Sequence, residues 1–331
     1  MEKRSKFTFI DLFAGIGGIR LAFEKAGGKC IMSSEWDAYA QKTYLENFGE
    51  IPLGDISKIN EKDIPNHDIL CGGFPCQAFS IAGKRKGFND IRGTLFFEVA
   101  RIIKEKKPKA IFLENVKGLI NHDKGKTLAT ILDVLRNELG YYVTEPQIMN
   151  AKDFGLAQNR ERVFIVGFRK DLGINSFSYP KKKIKPVSFE EVMEEKPVSP
   201  KYYLSTVYLN TLKKHKDRHV KKGNGFGYQI IDIKDIANAI VVGGMGRERN
   251  LIIDKRQKNL IPITNIKGSI NKKGIRRMTP REWARLQGFP DSFKIPVSDA
   301  QAYKQFGNSV AVSAIYATAK EIIKHLDNKL K

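Results

Sequence analysis

One stretch near the N-terminus decides the fold: Phe7-Thr8-Phe9-Ile10-Asp11-Leu12-Phe13-Ala14-Gly15-Ile16-Gly17-Gly18. Its first seven residues have the apolar and aromatic character of a buried strand. The glycines predict a tight turn, and the apolar spacing of residues 19–26 predicts a helix. Strand, glycine turn and helix in this order open an α/β sheet, which binds its ligands beyond the carboxyl ends of the strands.

Acidic residues close the next two predicted strands. Lys29 to Ser34 runs into Glu35-Trp36, and a later segment ends in Gly54-Asp55-Ile56. An acid about 20 residues after a glycine loop is where a nucleotide ribose is held. Arg20 stands where a dinucleotide fingerprint has its third glycine, which disfavours pyrophosphate. The pattern favours S-adenosylmethionine, with Phe13 or Trp36 beside the adenine, although the glycines alone also suit an ordinary tight turn.

A cysteine and a glutamate follow two further strands. Asp68 to Cys71 leads into Gly72-Gly73-Phe74-Pro75-Cys76, and Ala110 to Leu113 leads into Glu114-Asn115-Val116. Both side chains would lie at the ligand-binding edge of the sheet, which predicts a thiol nucleophile and a carboxyl acid. A free cysteine is otherwise a small buried hydrophobe, but the glycine and proline turn favours a cleft.

Alternating strands and helices continue to about residue 178 and predict a doubly wound sheet. The later strands are Tyr141 to Ile148 and Val163 to Phe168, and helices cover residues 95–104 and 127–139. Between the two strands lies Gln158-Asn159-Arg160-Glu161-Arg162. Strand alternation would place Arg160 and Arg162 on one face, one to brace the site and one to donate to substrate.

Composition and charge restrict the partners. The chain has 331 residues, 41% of them hydrophobic, and only three cysteines at spacings that suit neither a zinc cluster nor a disulfide scaffold, so we expect no metal. It has no signal-like or membrane-spanning stretch, which predicts a cytoplasmic protein. The net charge is +6 over residues 1–170 and +16 over residues 171–331. Basic runs in the second half favour nucleic acid over a merely solvated surface.

The ordered motifs resemble those of the bacterial DNA cytosine-5 methyltransferases of restriction–modification systems, over nearly the whole chain. Besides the segments above, the matching motifs are Met278-Thr279-Pro280-Arg281-Glu282, Arg285-Leu286-Gln287-Gly288-Phe289-Pro290 and Gln305-Phe306-Gly307-Asn308-Ser309-Val310. The resemblance implies a Rossmann-like, mostly parallel α/β sheet in residues 1–178 and 274–331. It also implies a smaller, β-rich target-recognition domain in residues 179–273.

The resemblance implies a role for each site residue. Cys76 adds to carbon 6 of a flipped cytosine, Glu114 protonates N3, Arg162 supports O2, and Arg160 supports the catalytic loop or phosphates. The residues implied to bind S-adenosylmethionine are Phe13, Gly15, Gly17, Gly18, Glu35, Trp36, Asp55, Ile56, Leu95 and Asn308. The loop that carries Ser80, Lys84 and Arg85 is expected to close over duplex DNA.

The recognition region contains two candidate base-reading segments. Asn224 and Phe226 lie in a basic glycine-rich stretch that equally suits a flexible turn, and Arg247 and Arg249 suit guanine edges. Ala239-Ile240-Val241-Val242 replaces the usual Thr-Leu pair of the family, which puts inherited contacts there in doubt. The stretch around Asn224 is similar to family members that modify CC-containing sites such as CCNGG or CCWGG.

Three other functions compete with this interpretation. A tRNA cytosine-5 methyltransferase shares the catalytic motifs but typically has a shorter, less basic recognition region. A non-catalytic DNA-binding protein would not need Cys76, Glu114 and Arg162 together. A nicotinamide dehydrogenase leaves Cys76 and the basic half unexplained. The expected protein is a monomer on double-stranded DNA, paired in function with a restriction endonuclease without necessary contact.

Overall fold

The computed structural model describes residues 6–75, 95–181, 185, 187–243, 245–327 and 329–330. The strands are β1 Phe7–Leu12, β2 Gly28–Ser34, β3 Ile69–Gly72, β4 Ala110–Val116, β5 Tyr141–Val143, β6 Gln147–Asn150, β7 Gln158–Asn159, β8 Glu161–Arg169, β9 Ala237–Asn238, β10 Ile252–Ile253 and β11 Ile275–Arg276. The α-helices are α1 Gly18–Lys25, α2 Ala38–Phe48, α3 Leu95–Lys106, α4 Lys126–Asp133, α5 Thr206–Lys221, α6 Pro280–Leu286, α7 Asp299–Asn308 and α8 Val312–Leu326. No helix of the described residues is long and apolar enough to cross a membrane.

The described chain forms two compact units. The first contains residues 1–150, 161–182 and 312–331, and the second contains residues 151–160 and 183–311. Residues 274–311, which the sequence predicted to lie with the cofactor domain, therefore cluster with the second unit. The same holds for residues 151–160, whereas the C-terminal helix α8 clusters with the first unit.

A seven-stranded sheet forms the centre of the first unit, in the order β2-β1-β3-β4-β8-β5, with β6 also paired to β8. Strands β2, β1, β3 and β4 are parallel, and β8 runs antiparallel to its neighbours. Because the chain leaves β1 for β2 on one side and reaches β3 on the other, the order reverses between β1 and β3. Open α/β sheets bind ligands at such a reversal.

Both faces of this sheet are covered, so the predicted doubly wound α/β fold is confirmed. On one face, Ile10 and Leu12 pack with apolar residues of α3 and α4. On the other face, the rings of Phe9 and Phe23 of α1 are 5.4 Å apart, and α8 packs against α1. Lys25 Nζ of α1 lies 4.8 Å from the centre of the Tyr316 ring of α8.

The second unit has less strand than the sequence predicted. Its described strands are two residues long, and its longest element is the 16-residue helix α5. Ser205 caps α5 by accepting a hydrogen bond from the Tyr208 N–H. Leu212 of α5 is buried in a small core with Leu204, Leu251 and Ile275. Lysine and arginine are good helix formers, so a basic run with a few apolar anchors favours a helix.

A buried ion network holds the start of α6. Thr279 and Glu282 form a capping box, in which each side chain accepts a hydrogen bond from the backbone N–H of the other. Arg276 donates to both carboxylate oxygens of Glu282, at 2.7 and 2.8 Å, and to Oδ2 of Asp254 at 3.0 Å. The side chains of Arg276 and Glu282 are 0% exposed. The Met278–Glu282 motif is therefore a structural element of the second unit.

Candidate active site

The strand register aligns the carboxyl ends of four parallel strands. Leu12 of β1 is paired with Ser34 of β2 and with Gly72 of β3, and Gly72 is paired with Leu113 of β4. The residues that follow in the chain are therefore neighbours along one edge of the sheet: Glu35, Phe13, Gly73 and Glu114. The predicted cofactor residues Phe13 and Glu35 and the predicted acid Glu114 therefore follow neighbouring strands at this edge, at the reversal between β1 and β3.

The carboxylate of Glu35 holds the glycine turn in place. Its Oε2 accepts a hydrogen bond from the Gly15 N–H at 2.8 Å, and its Oε1 accepts one from the Asp37 N–H at 2.7 Å. Burial raises the pKa of Glu35, and these two N–H donors oppose the increase. A carboxylate has about four acceptor positions, so acceptor capacity remains for a ribose hydroxyl. The contact with Gly15 had no signal in the sequence.

The turn itself is strained and tightly packed. Phe13 has φ 59°, a left-handed conformation that is a genuine outlier for a bulky residue and is typical of functional sites. Gly17 has φ 84°, and a Cβ there would lie 2.3 Å from the ring of Phe48. A Cβ on Gly15 would meet no atom within 4 Å, so open space adjoins that glycine.

The side chains around this space fit an adenosine group. The Trp36 ring is 77% exposed, and Asp55 is fixed by accepting hydrogen bonds from the N–H and Oγ of Ser57. Leu95 is partly exposed at the start of α3, whereas Ile56 is buried in the core. Gly18 begins α1. Asn308 is an exposed residue of the second unit, so it lies in a different unit from the other predicted cofactor residues.

Trp36 provides a direct test of this surface. We expect Trp36→Ala to weaken binding of S-adenosylhomocysteine roughly tenfold, because stacking of a base on an aromatic ring contributes about 1–3 kcal/mol. Isothermal titration calorimetry gives the affinity. Tyr39→Ala, which removes another exposed aromatic residue, should leave the affinity unchanged. Equal losses in both variants would contradict stacking at Trp36.

A buried carboxyl group lies behind the glycine turn. Asp11 of β1 is 0% exposed, and no hydrogen bond of ordinary geometry reaches either Oδ atom among the described residues. Burial raises the pKa of Asp11 from its ordinary 3.8 to about 8, opposed only in part by the Arg20 backbone N–H and guanidinium. Asp11 is therefore protonated at neutral pH in the folded chain.

This protonation predicts a pH-dependent stability. Between the ordinary and the raised pKa, the folded chain binds a proton at Asp11 that the unfolded chain lacks. Stability therefore falls by up to about 1.4 kcal/mol per pH unit as pH rises through this window. In urea unfolding, we expect the stability of Asp11→Asn relative to the wild type to increase as the pH rises from about 4 to about 8. Above that range, we expect no further increase. Parallel pH profiles would refute the assignment.

Glu114 lies beside the loop that leads to Cys76. It is 8% exposed near the end of β4, and a Cβ on Gly73 would be 3.6 Å from its Oε2. The next residue, Asn115, donates from Nδ2 to the Phe74 carbonyl at 2.8 Å. Asn115, for which the sequence suggested no role, thus fixes the approach of this loop to β4.

Arg162 of β8 completes this cluster. Its Nε lies 3.1 Å from Oε1 of Glu114, and both side chains are largely buried. Burial lowers the pKa of Arg162, and the negative charge of Glu114 opposes the change. A charged donor and a carboxylate held together at a sheet edge suit a planar ring that carries both a carbonyl oxygen and a basic nitrogen.

Arg160 is separated from this cluster. It follows β7, belongs to the second unit, and donates to the backbone carbonyls of Ile240, Gly307 and Ser309 at 2.6–3.1 Å. With 1% of its surface exposed, it braces the second unit and presents no surface to a phosphate. The two arginines do not share a strand face, because β8 and its pairing begin at Glu161, after Arg160.

The predicted nucleophile, Cys76, lies outside the described residues, as do Ser80, Lys84 and Arg85. The other two cysteines are described, and both are buried. Burial raises the pKa of the Cys30 thiol to about 12 and that of Cys71 well above its ordinary value. The thiolate is the reactive form of cysteine, so neither residue is suited to be a nucleophile.

The two candidate reading segments are built differently. Arg247 and Arg249 are exposed, and the alternating Glu248 and Asn250 are buried. Glu248 accepts from Nε of Arg277 at 2.9 Å, and Asn250 exchanges hydrogen bonds with the backbone of Asn238. The arginines are thus presented by a fixed backbone.

Asn224 and Phe226 rest against α5 instead. Oδ1 of Asn224 is 2.7 Å from Nδ1 of His219, and the Phe226 ring is 67% exposed.

Among the described residues, no group of three or more His, Cys, Asp or Glu side chains could hold a metal ion.

Comparisons with known proteins agree with this geometry. A family model described as C-5 cytosine-specific DNA methylase matches residues 7–324. The chain is 68% identical to the Type II methyltransferase M.HpaII of Haemophilus parainfluenzae, across 98% of this chain and 91% of that protein. It is 48% identical to the Type II methyltransferase M1.ScrFI of Lactococcus lactis subsp. cremoris, across 100% and 81%. The crystal structure of the S. pombe Dnmt2 methyltransferase shares the fold, with a TM-score of 0.71 at 18% identity over 97% of this chain and 99% of that one.

Proposed function

The chain belongs to the C-5 cytosine-specific DNA methylases and is a DNA cytosine-5 methyltransferase, and we propose that it modifies one cytosine of a specific short duplex sequence through a covalent Cys76 adduct. The observation that carries this proposal is the Glu114–Arg162 pair beside Gly73, three residues before Cys76. The burial of Cys30 and Cys71 supports Cys76 as the thiolate.

The roles of the residues follow from the chemistry of the base. Carbon 5 of cytosine is a weak nucleophile until the Cys76 thiolate forms a bond to carbon 6 while Glu114 delivers a proton to N3. The resulting enamine would accept at carbon 5 the methyl group that S-adenosylmethionine supplies when bound, with S-adenosylhomocysteine as the leaving group. Loss of the carbon-5 proton to a base then expels the thiolate, and N3 returns its proton to Glu114. Arg162 donates to the cytosine O2 throughout.

S-Adenosylmethionine supplies the electrophilic methyl group when bound. Glu35 and Asp55 would hold its ribose and adenine side, with the Trp36 ring beside the base. Phe13 and Gly15 would border the same group. The family resemblance adds Asn308 to the residues proposed to bind this cofactor. Nothing in this donor set calls for a metal.

Duplex DNA hides carbon 6, so the target base must leave the stack, at a cost of a few kcal/mol. We assign phosphate contacts to Ser80, Lys84 and Arg85 and base contacts to Arg247, Arg249, Asn224 and Phe226. The protein would act as a cytoplasmic monomer that protects host DNA from a paired restriction endonuclease. The target is proposed to be a CC-containing site.

Transfer of labelled methyl groups to plasmid DNA and to tRNA tests the substrate. We expect label only in DNA, as 5-methylcytosine, and sequencing the product gives the site. A duplex with 5-fluorocytosine at that site tests the covalent step, because fluorine cannot leave carbon 5 as a proton does. A complex that survives denaturing electrophoresis is expected, and its absence would overturn the adduct. Label in tRNA alone would overturn the DNA assignment.

A further inference from the structure

The exposed side of helix α5 carries a concentration of positive charge. Residues 206–222 contain six lysines and arginines and one acid, Asp217. All six are exposed, and five of them form a set that we name the α5 cations: Lys213, Lys214, Arg218, Lys221 and Lys222. The sixth, Lys216, lies against the Tyr228 ring, with Nζ 5.2 Å from its centre.

The positive charges of the α5 cations are not neutralised by ion pairs in the described part of the chain. Among the described residues, no carboxylate forms an ion pair with any of the five. The helix dipole favours cations in the last turn and accounts for Arg218 and Lys221. It does not account for Lys213 and Lys214 in mid-helix, and like charges four residues apart, such as Lys214 and Arg218, destabilise a helix by a few tenths of a kcal/mol.

Packing of one side of helix α5 holds these charges in place. Leu212 is 4% exposed in the small core, with Tyr208 and Leu209 packed on the same side. The opposite side therefore faces solvent along residues 213–222. That span rises about 14 Å, over which a DNA duplex carries roughly eight phosphate charges.

The same helix holds one of the candidate reading segments. His219 bonds Asn224, and its ring centre lies 5.9 Å from that of Phe226. A Cβ on Gly227, which has φ 157°, would lie 2.8 Å from Lys216 Cγ, so the segment is folded closely onto α5. Charge for the phosphates and side chains for the bases are thus fixed on one element.

We propose that the α5 cations contact the phosphate backbone of duplex DNA, independently of sequence, and so dock the segment that contains Asn224 and Phe226. The proposal rests on the proposed function, since it assumes that DNA is the substrate. Phosphate contacts release counterions, and each adds about 0.9 to the slope of log affinity against log salt. Removal of a phosphate contact weakens binding to all DNA sequences by the same factor.

The test compares two double variants that each remove two positive charges. Lys213→Gln/Lys214→Gln alters α5, and Lys320→Gln/Lys324→Gln alters two exposed lysines of α8 as the control. Fluorescence anisotropy from 50 to 200 mM salt measures binding to a mixed-sequence duplex and to an unmodified duplex that contains the target site. Circular dichroism verifies that the helix content is unchanged.

We expect the slope of the α5 variant to fall by about 1.8 for both duplexes, so that the fold-change in affinity across this salt range shrinks about twelvefold. The α8 variant should match the wild type. An unchanged slope for either duplex, or a loss of affinity confined to the duplex that contains the target site, would overturn the proposal. Failure of the proposed function is distinct, because the wild type would then not methylate plasmid DNA at all.

Discussion

The Glu114→Gln variant is expected to methylate DNA about 10²- to 10⁴-fold more slowly than the wild type in a single turnover. The amide has nearly the shape of the carboxyl group and still hydrogen-bonds, but it cannot deliver a proton to N3. Without that proton, the electrons displaced by the thiolate have no acceptor. Because Glu114 lies beside Gly73, whereas Glu35 and Trp36, which we propose to hold the cofactor, follow β2, affinity for S-adenosylhomocysteine should stay within about twofold.

Rapid-quench measurement of labelled methyl transfer checks this expectation. Cys76→Ser defines the rate without the nucleophile, and Glu145→Gln, which alters an 82% exposed side chain of the same unit, is the matched control. The thermal midpoint should be compared as well, since the variant also disturbs the pair with Arg162. A Glu114→Gln rate equal to that of Glu145→Gln would refute the acid role.

The Arg276→Met variant is expected to lose about 3–5 kcal/mol of stability. Arg276 is fully buried, and its removal leaves Glu282 without its two guanidinium bonds and Asp254 without one. Burial alone would raise the pKa of Asp254, but hydrogen bonds from Arg256 and Arg276 bring it to about 2. The network therefore favours an ionised Asp254 in the interior, and this carboxylate needs its cation.

Trp283 offers a local reporter of this loss. It lies on α6, next to Glu282, and is 1% exposed. Urea unfolding followed by Trp283 emission, in a Trp36→Phe background, gives the free energy for the second unit. Lys201→Met, which breaks the half-exposed pair with Asp299, should cost less than about 1 kcal/mol. If both variants lost the same amount, the buried network would not be the cause.

The sheet edge of the site could be predicted from sequence because its signals are local. Glycines after β1 and the acid after β2 each follow a strand, and parallel strands bring their carboxyl ends together. The features that the sequence could not predict depend on contacts between distant segments of the chain. Arg160 and Arg162 looked like one strand face, yet β8 begins between them and Arg160 bonds carbonyls about 80 and 147 residues away.

The second unit was harder to predict for a related reason. A basic run is compatible with a turn, a strand or a helix until its apolar anchors are known, and Leu212 finds its partners at Leu251 and Ile275. Similarly, Tyr141 to Ile148 read as one strand, but β5 and β6 are separate because each pairs with a different part of β8. No local pattern reports such partners.

The packing of α8 on α1 also bears on how the chain is made. A nascent chain leaves the ribosome N-terminus first, and domains commonly fold as they emerge. Here the glycine turn and α1 appear early, but the helix that covers α1 comes only with residues 312–326. The first unit thus completes its folding only after the second unit has been synthesised, so catalytic competence requires that α8 has been made.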